Sequence, residues 1–479
     1  MGENLAKIPL DVRFRKLNNV FAFFIAAMPP LLLILNIVVP NLGMRRLFLV
    51  WCIMYIIVFL LFAPANIKYI KLARYKSKLL KTALALSLAL YILVVISMVV
   101  TQTFVHNSLE MLCYPLLFVC VLFLDKKYLK IFFQVLLASI VFSALLGTID
   151  PFQTWVPGFN TNSFPYSSFF WHHNYSACIT ALATIIVINI LVFGKNKKAK
   201  ILYATYFIIL SAFLYFNCSF ASITSIYVII IFELVFFSIR HKKFEWKFLV
   251  IMLSSASISI LIKLLSLAPD IPEKYNYFVE CAAVFDNIFH TNLLQSIFHI
   301  DYVAGADGWN RSRLFAQSLK LALGGEKTTF FGKLLVILFG VGGGTVNVSR
   351  PHNLFLGVWL DFGLLASLVN MTIIVLLLIY MIKQNKQNLP KISPFFFACT
   401  AYLFITLLSS LIVYHYIYFV TILALGTKIS YQTCHKVVAI TPTIKQKTNR
   451  YVEIKNKPLK IPHLSLRKKL IIKKRSLAE

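Results

Sequence analysis

Twelve long apolar runs constrain this chain more than any other feature. They fall at about 18–39, 47–63, 83–101, 111–124, 131–147, 174–193, 200–217, 221–238, 247–267, 354–382, 395–411 and 413–427. Most approach the ~20 residues that a helix needs to cross ~30 Å of hydrocarbon; those at 111–124 and 413–427 are short. Composition points the same way. Hydrophobic residues are 59% of the 479 and charged residues only 14%, against roughly 25% charged in a soluble domain. So few charges cannot cover a water-facing surface of this size. The expected fold class is an all-α polytopic membrane protein of about 12 transmembrane helices. The first run follows a basic stretch without a cleavage pattern, so it reads as a retained span.

The formal net charge is +31, which by itself fits either nucleic acid or a membrane surface. Its placement decides. With the N-terminus inside, the segments 1–18, 64–82, 125–130, 194–200, 239–247, 383–394 and 428–479 are cytoplasmic and carry 38 of the 48 lysines and arginines. The short outer loops hold Arg45 and Arg46, the long outer loop holds seven, and Lys263 sits within a span. This is the bias of cytoplasmic loops, and it leaves no role for nucleic acid. Both termini are expected in the cytoplasm. The chain divides into nine helices (1–267), one large outer loop (268–353), helices ten to twelve (354–427) and a basic tail (428–479). Pro442, Pro458 and Pro462 interrupt any long helix in that tail. It reads as an arm held to anionic headgroups by its charge, or as a docking segment for a partner.

Of the eight cysteines most lie inside spans, and Cys218 and Cys281 alone fall near the outer face, without a spacing signature for a disulfide. The chain has no CxxC pair, phosphate-binding glycine loop or metal-ligand cluster, so neither metal nor cofactor is expected. Chemistry is sought in two outer segments. The first, 148–173, is aromatic, free of lysine and arginine, and ends Trp171-His172-His173. It reads as an interfacial aromatic belt or as a wall on which sugars stack. The second is the loop 268–353, far longer than the ~12–15 residues beyond which loops are usually functional or disordered. Its apolar stretch 331–341 is too short to span, and a crossing there would invert the charge bias downstream. It is expected to lie in the outer interface or to pack within the loop.

Three landmarks gather the cations of this loop. Gly308-Trp-Asn-Arg311-Ser-Arg313 reads as the start of an amphipathic helix. Gly340-Val-Gly-Gly-Gly344-Thr reads as a flexible hinge with bare backbone. Ser349-Arg350-Pro351-His352-Asn353 directly precedes an apolar run. Pro351 biases Arg350 toward an extended backbone, which puts a helix start near His352. At 100° per residue Gly363 then comes within about 20° of His352, with Asp361 on the opposite side. A single histidine at a helix start reads as structural; the arginines and glycines around this one favour chemistry.

These residues resemble the O-antigen ligase and polymerase superfamily of bacterial inner-membrane glycosyltransferases. The resemblance covers roughly 170–382. It rests on Asn217-Cys-Ser-Phe-Ala-Ser222, Arg311-Ser-Arg313-Leu-Phe, the glycine turn, and His352-Asn353 followed by nine residues and Gly363. Phe220 stands where ligases usually carry arginine, and Ala366 where a second glycine is usual. The resemblance implies a glycan donor on undecaprenyl pyrophosphate, a lipid A–core acceptor in a ligase, and a second carrier-linked glycan as acceptor in a polymerase. It implies a periplasmic active face. Arginine suits pyrophosphate because its fork matches phosphate oxygens, and histidine suits deprotonation of an acceptor hydroxyl. Arg313 is thus expected on the pyrophosphate and His352 as base. Arg350, Arg311, Asn353 and His173 are further substrate contacts. Lys263 either replaces the cation that Phe220 lacks or snorkels to the headgroups.

Two other readings stay open. Arg313 followed by ten residues and Gly324 fits a polymerase-type pattern, though 148–173 has no arginine to match it. A lipid or polysaccharide transporter would carry intramembrane charges on broken helices; Pro29-Pro30 breaks the first span, whereas Glu233, Lys263 and Asp361 fall toward span ends.

Overall fold

The computed structural model describes residues 77–103, 106–123, 126–149, 173–217, 219–264, 310–325, 327–342, 353–383, 389–408 and 418–431. Among these every regular element is helical and no strand occurs. The elements are α1 (Lys78–Thr101), α2 (His106–Phe123), α3 (Lys126–Ile149), α4 (His173–Phe193), α5 (Lys197–Asn217), α6 (Phe220–His241) and α7 (Trp246–Leu264). They continue with α8 (Asn310–Ala322), α9 (Phe330–Phe339), α10 (Leu354–Phe362), α11 (Leu364–Ile382) and α12 (Leu389–Leu408). A last helix, α13, occupies 418–431.

Seven of the described helices are long and apolar enough to cross a membrane: α1, α3, α4, α5, α6, α11 and α12. In hydrocarbon a backbone must satisfy its own polar groups, which a helix does within one segment. Many of the hydroxyls follow suit by donating to a carbonyl one turn back, as Thr148 does to Ala144 (2.9 Å), Thr184 to Thr180 (2.8 Å) and Thr372 to Leu368 (2.7 Å). The runs at 18–39 and 47–63 lie outside the described residues, as does the tail beyond 431. The runs 111–124 and 247–267 form α2 and α7, which are not among the seven.

One expected span is corrected. The run 354–382 is two helices, because Gly363 (φ 92°, ψ 163°) leaves the helical region. Its N–H still caps α10 by donating to Trp359 O (2.8 Å), and α11 alone has the length to cross.

The bundle is built around α4, whose Ala177, Ile179, Leu182, Ile185 and Ile188 are wholly buried. It is surrounded by α3, α5, α6, α7 and α12, while α1 pairs chiefly with α11. At one end Phe237 of α6 meets Phe193 at the end of α4 (4.6 Å between ring centroids), stacks on Phe248 of α7 (5.7 Å) and touches Phe397 of α12 (5.8 Å). Phe133, near the start of α3, meets Phe395 of α12 (5.5 Å). Lys428 Nζ donates to the Leu122 carbonyl near the end of α2. The basic segments 194–200 and 239–247, which the charge bias assigns to the cytoplasm, therefore lie together at this end.

A small ionic hook closes the α6–α7 turn there. His241 Nδ1 lies 2.8 Å from Glu245 Oε1, Lys243 Nζ lies 3.4 Å from the same oxygen, and the Glu245 N–H donates to Ser238 Oγ (3.0 Å). Burial pushes the Glu245 carboxyl up, but the His241 hydrogen bond and the Lys243 charge outweigh it and hold this group below the usual carboxylate range.

Candidate functional site

The opposite end of the bundle carries two polar constructions. The first joins the start of α4 to the α5–α6 turn. Asn217 closes α5, and its Nδ2 donates to Ser176 Oγ (2.9 Å). Ser219 occupies the N-cap position of α6 but makes no cap bond. Its hydroxyl donates instead to Asn174 Oδ1 (2.9 Å) and lies 3.2 Å from Ser222 Oγ, from whose hydroxyl it can accept. Ser176, Asn217, Ser219 and Ser222 are all buried, so hydrogen bonding is what makes them tolerable in an apolar bundle. Asn217, Ser219 and Ser222 are thereby locked together with the residues that follow His173, the first residue of α4. The side chains of His173 and Phe220 lie outside the described ones.

The second construction is a set of short helices over the C-terminal end of α1 and the N-terminal end of α11. Arg311 and Arg313 fall in the first turn of α8, with side chains outside the described ones. The other end of that helix, Leu321 and Ala322, packs with Leu356 and Leu360 of α10, and Leu319, Val341 and Trp359 cover this cluster. Asn353 caps α10: its Oδ1 accepts from the Leu356 N–H (3.1 Å). The helix thus begins at Leu354, two residues later than expected. The Asn353 side-chain oxygen is thereby engaged in holding the fold. His352 and Arg350, immediately before it, lie outside the described residues.

Glycines set the close approaches, and here an expectation changes. Gly340 (φ 78°) and Gly342 (φ 94°) take backbone conformations that favour glycine. A Cβ on Gly340 would lie 2.7 Å from the Leu360 carbonyl oxygen, and one on Gly342 would strike the Thr103 side chain. Val341 N–H donates to Leu360 O (2.8 Å). These two glycines are packed against protein and do not form a free hinge; Gly343 and Gly344 lie outside the described residues. Gly363 behaves alike, since a Cβ there would collide with the Leu338 carbonyl. The approach expected on the His352 face at Gly363 is taken up by the backbone of α9.

The stretch 331–341 falls largely in α9, ten residues and ~15 Å long, half of what a crossing needs. Its C-terminal end is fixed to α1, while Phe330 and Phe331 at its start are exposed. Gly324 (φ 71°) ends α8 with its N–H on Leu321 O (2.8 Å) and the Gly325 N–H on Lys320 O (2.9 Å). That pair of bonds is a helix-terminating motif, and it accounts for Gly324 without any polymerase chemistry.

Of the three intramembrane charges, Lys263 stays at a helix end and the other two move. Asp361 belongs to short α10, outside the seven long helices. Lys263 is the penultimate residue of α7, with its side chain outside the described ones. Glu233, expected toward a span end, sits 12 residues into the span Ala221–His241 and eight from its close, ~18 Å and ~12 Å along the axis. It is fully buried, and Asn189 Nδ2 of α4 donates to its Oε1 (2.5 Å). Sequence reading flagged Glu233 but missed Asn189 and the Asn174–Ser176 pair. The available signal was a carboxamide inside an otherwise apolar run. Among the described residues no group of histidine, cysteine and acidic side chains could hold a metal.

Seven described helices of crossing length, one of them buried at the centre of the bundle, define the build of a polytopic helical membrane protein. No family model and no curated protein matches the sequence of this chain.

Proposed function

We propose that the chain is a lipid-carrier-dependent glycosyltransferase. In this reading it moves O-antigen polysaccharide from undecaprenyl pyrophosphate to lipid A–core at the periplasmic face of a bacterial inner membrane. The observation that carries the reading is the packing of α8 on α10, which joins the helix of Arg311 and Arg313 to the helix that follows His352-Asn353. The reaction asks little of the protein beyond such a grouping, because the donor already has a good leaving group. His352 takes the proton from an acceptor hydroxyl, whose oxygen attacks the anomeric carbon. The bond from that carbon to the pyrophosphate oxygen breaks, and the electron pair leaves on the pyrophosphate against the Arg313 guanidinium. Arg350, Arg311, Asn353, Lys263 and His173 bind donor or acceptor.

Deleting the gene and resolving the surface glycan on a gel tests this. Full-length carrier-linked polymer with bare lipid A–core supports a ligase. Core capped by a single repeat supports the polymerase, the runner-up. A second reading, a lipid or polysaccharide transporter, is favoured by the buried Glu233 well inside a crossing helix. A transporter tolerates loss of His352, and an enzyme does not.

A further inference from the structure

Among the described residues Glu233 has a single hydrogen-bond partner and no counter-charge. Its Oε1 accepts from Asn189 Nδ2, which also donates to Ile185 O (3.0 Å). Its second oxygen, Oε2, is buried without a partner among the described residues, and so is Asn189 Oδ1. Both ion pairs among the described residues involve Glu245 and neither reaches Glu233. Above the pair the α4–α6 interface is apolar, with Leu182, Ile185, Ile229 and Ile230 all buried. Below it Phe193, Phe237, Phe248 and Phe397 close the way to the basic end. Near that depth the neighbouring helices carry Cys399 and Tyr402 on α12 and Tyr203 and Tyr206 on α5. Within two turns of Asn189, α4 carries no titratable side chain.

A bare carboxylate in such a place costs many kcal/mol unless a positive charge joins it. A purely structural clasp between α4 and α6 would need only neutral groups, as the Asn217–Ser176 and Ser219–Asn174 bonds show. We infer that Glu233 and Asn189 form a binding site for one monovalent cation, a proton or an alkali ion, with Glu233 Oε2 and Asn189 Oδ1 as its acceptors. The site lies ~18 Å along α6 from the outer end. It is separate from glycan transfer, so neither proposal stands or falls with the other.

The test uses the full chain in nanodiscs, with wild type compared to Glu233→Gln, which keeps the shape and the Asn189 contact. Infrared spectra at several pH values and thermal unfolding in sodium, potassium, lithium or choline chloride are recorded for both. A proton occupant gives an acid carbonyl band that Glu233→Gln lacks and Asn189→Ala shifts. An alkali occupant gives no such band; one alkali salt raises the wild-type midpoint saturably, Glu233→Gln removes that rise, and Asn189→Ala weakens its half-saturation about tenfold, the worth of one hydrogen bond to a charged group. Spectra that superimpose in the acid carbonyl region, with midpoints equally indifferent to every salt, overturn the site.

Discussion

Ser97 and Phe339 stand 242 positions apart in the chain, and the Ser97 hydroxyl donates to the Phe339 carbonyl at 2.6 Å. The bond ties the last residue of α9 to the C-terminal end of α1. It fills an acceptor that the end of a helix otherwise leaves empty.

Ser97→Ala is therefore expected to cost about 1 kcal/mol, in line with hydroxyl bonds between membrane helices. Because the loss is local, hydrogen exchange in α9 should rise while exchange in α4 stays as in wild type. Equal exchange in α9 of the two proteins would show that apolar packing alone holds this end.

Gly363 is held more strictly. An alanine there meets both a φ of 92° and the Leu338 carbonyl, two independent penalties that together exceed ~2 kcal/mol. Gly363→Ala should lower the thermal midpoint by several degrees and expose the α9–α10 contact to protease. Gly363→Ala with a wild-type midpoint would mean that α9 moves aside at little cost.

The Glu245 hook gives a pH signature at the basic end. Its folded carboxyl lies below the usual range, so the stabilisation is fully present above the unfolded value of about 4.3 and is lost as pH falls through the folded one. Thermal midpoints measured from pH 7 down to pH 3 should fall more steeply for wild type than for Glu245→Gln. Parallel curves would remove the hook from the stability of the α6–α7 turn.

The helical class and the seven described helices of crossing length are legible because apolar length is a one-dimensional property of the chain. The break at Gly363 is not. A glycine within a run of apolar residues reads as tolerated, and only the Leu338 backbone lying against it shows why this one ends a helix. Glu233 looked peripheral for a related reason: the run ends at 238, while the helix continues through Arg240 and His241 to its cap at Lys242. Asn353 and Gly324 look chemical in a motif, and both also cap helices, the first at a start and the second at an end. A cap and a ligand use the same residue types, so spacing alone cannot separate them.

Orientation is open to direct labelling. Single cysteines at Asn160, Asn310 and Thr345 are expected to react with an impermeant reagent from outside, and those at Lys197, Phe244 and Ile440 only after permeabilisation. The ten-residue length of α9 makes Thr345 the informative position. Labelling there from the cytoplasm alone would mean that 331–341 crosses, and the proposed site would lose its common face.

The sharpest expectation separates His352 from Arg313 by their jobs. A general base contributes ~10²–10⁴-fold, so His352→Ala should nearly abolish transfer and leave carrier binding largely intact. Arg313 is assigned to the pyrophosphate in ground and transition states alike. Arg313→Ala should therefore weaken donor binding as well as slow the chemistry, and Arg313→Lys should restore charge without the bidentate geometry. Since both serve one step, the double variant should lose less than the product of the single losses. Purified protein in nanodiscs, given carrier-linked glycan and acceptor, supplies the rates, and binding of labelled carrier supplies the affinities. Wild-type product from His352→Ala at equal protein level would return that histidine to a structural place beside the Asn353 cap.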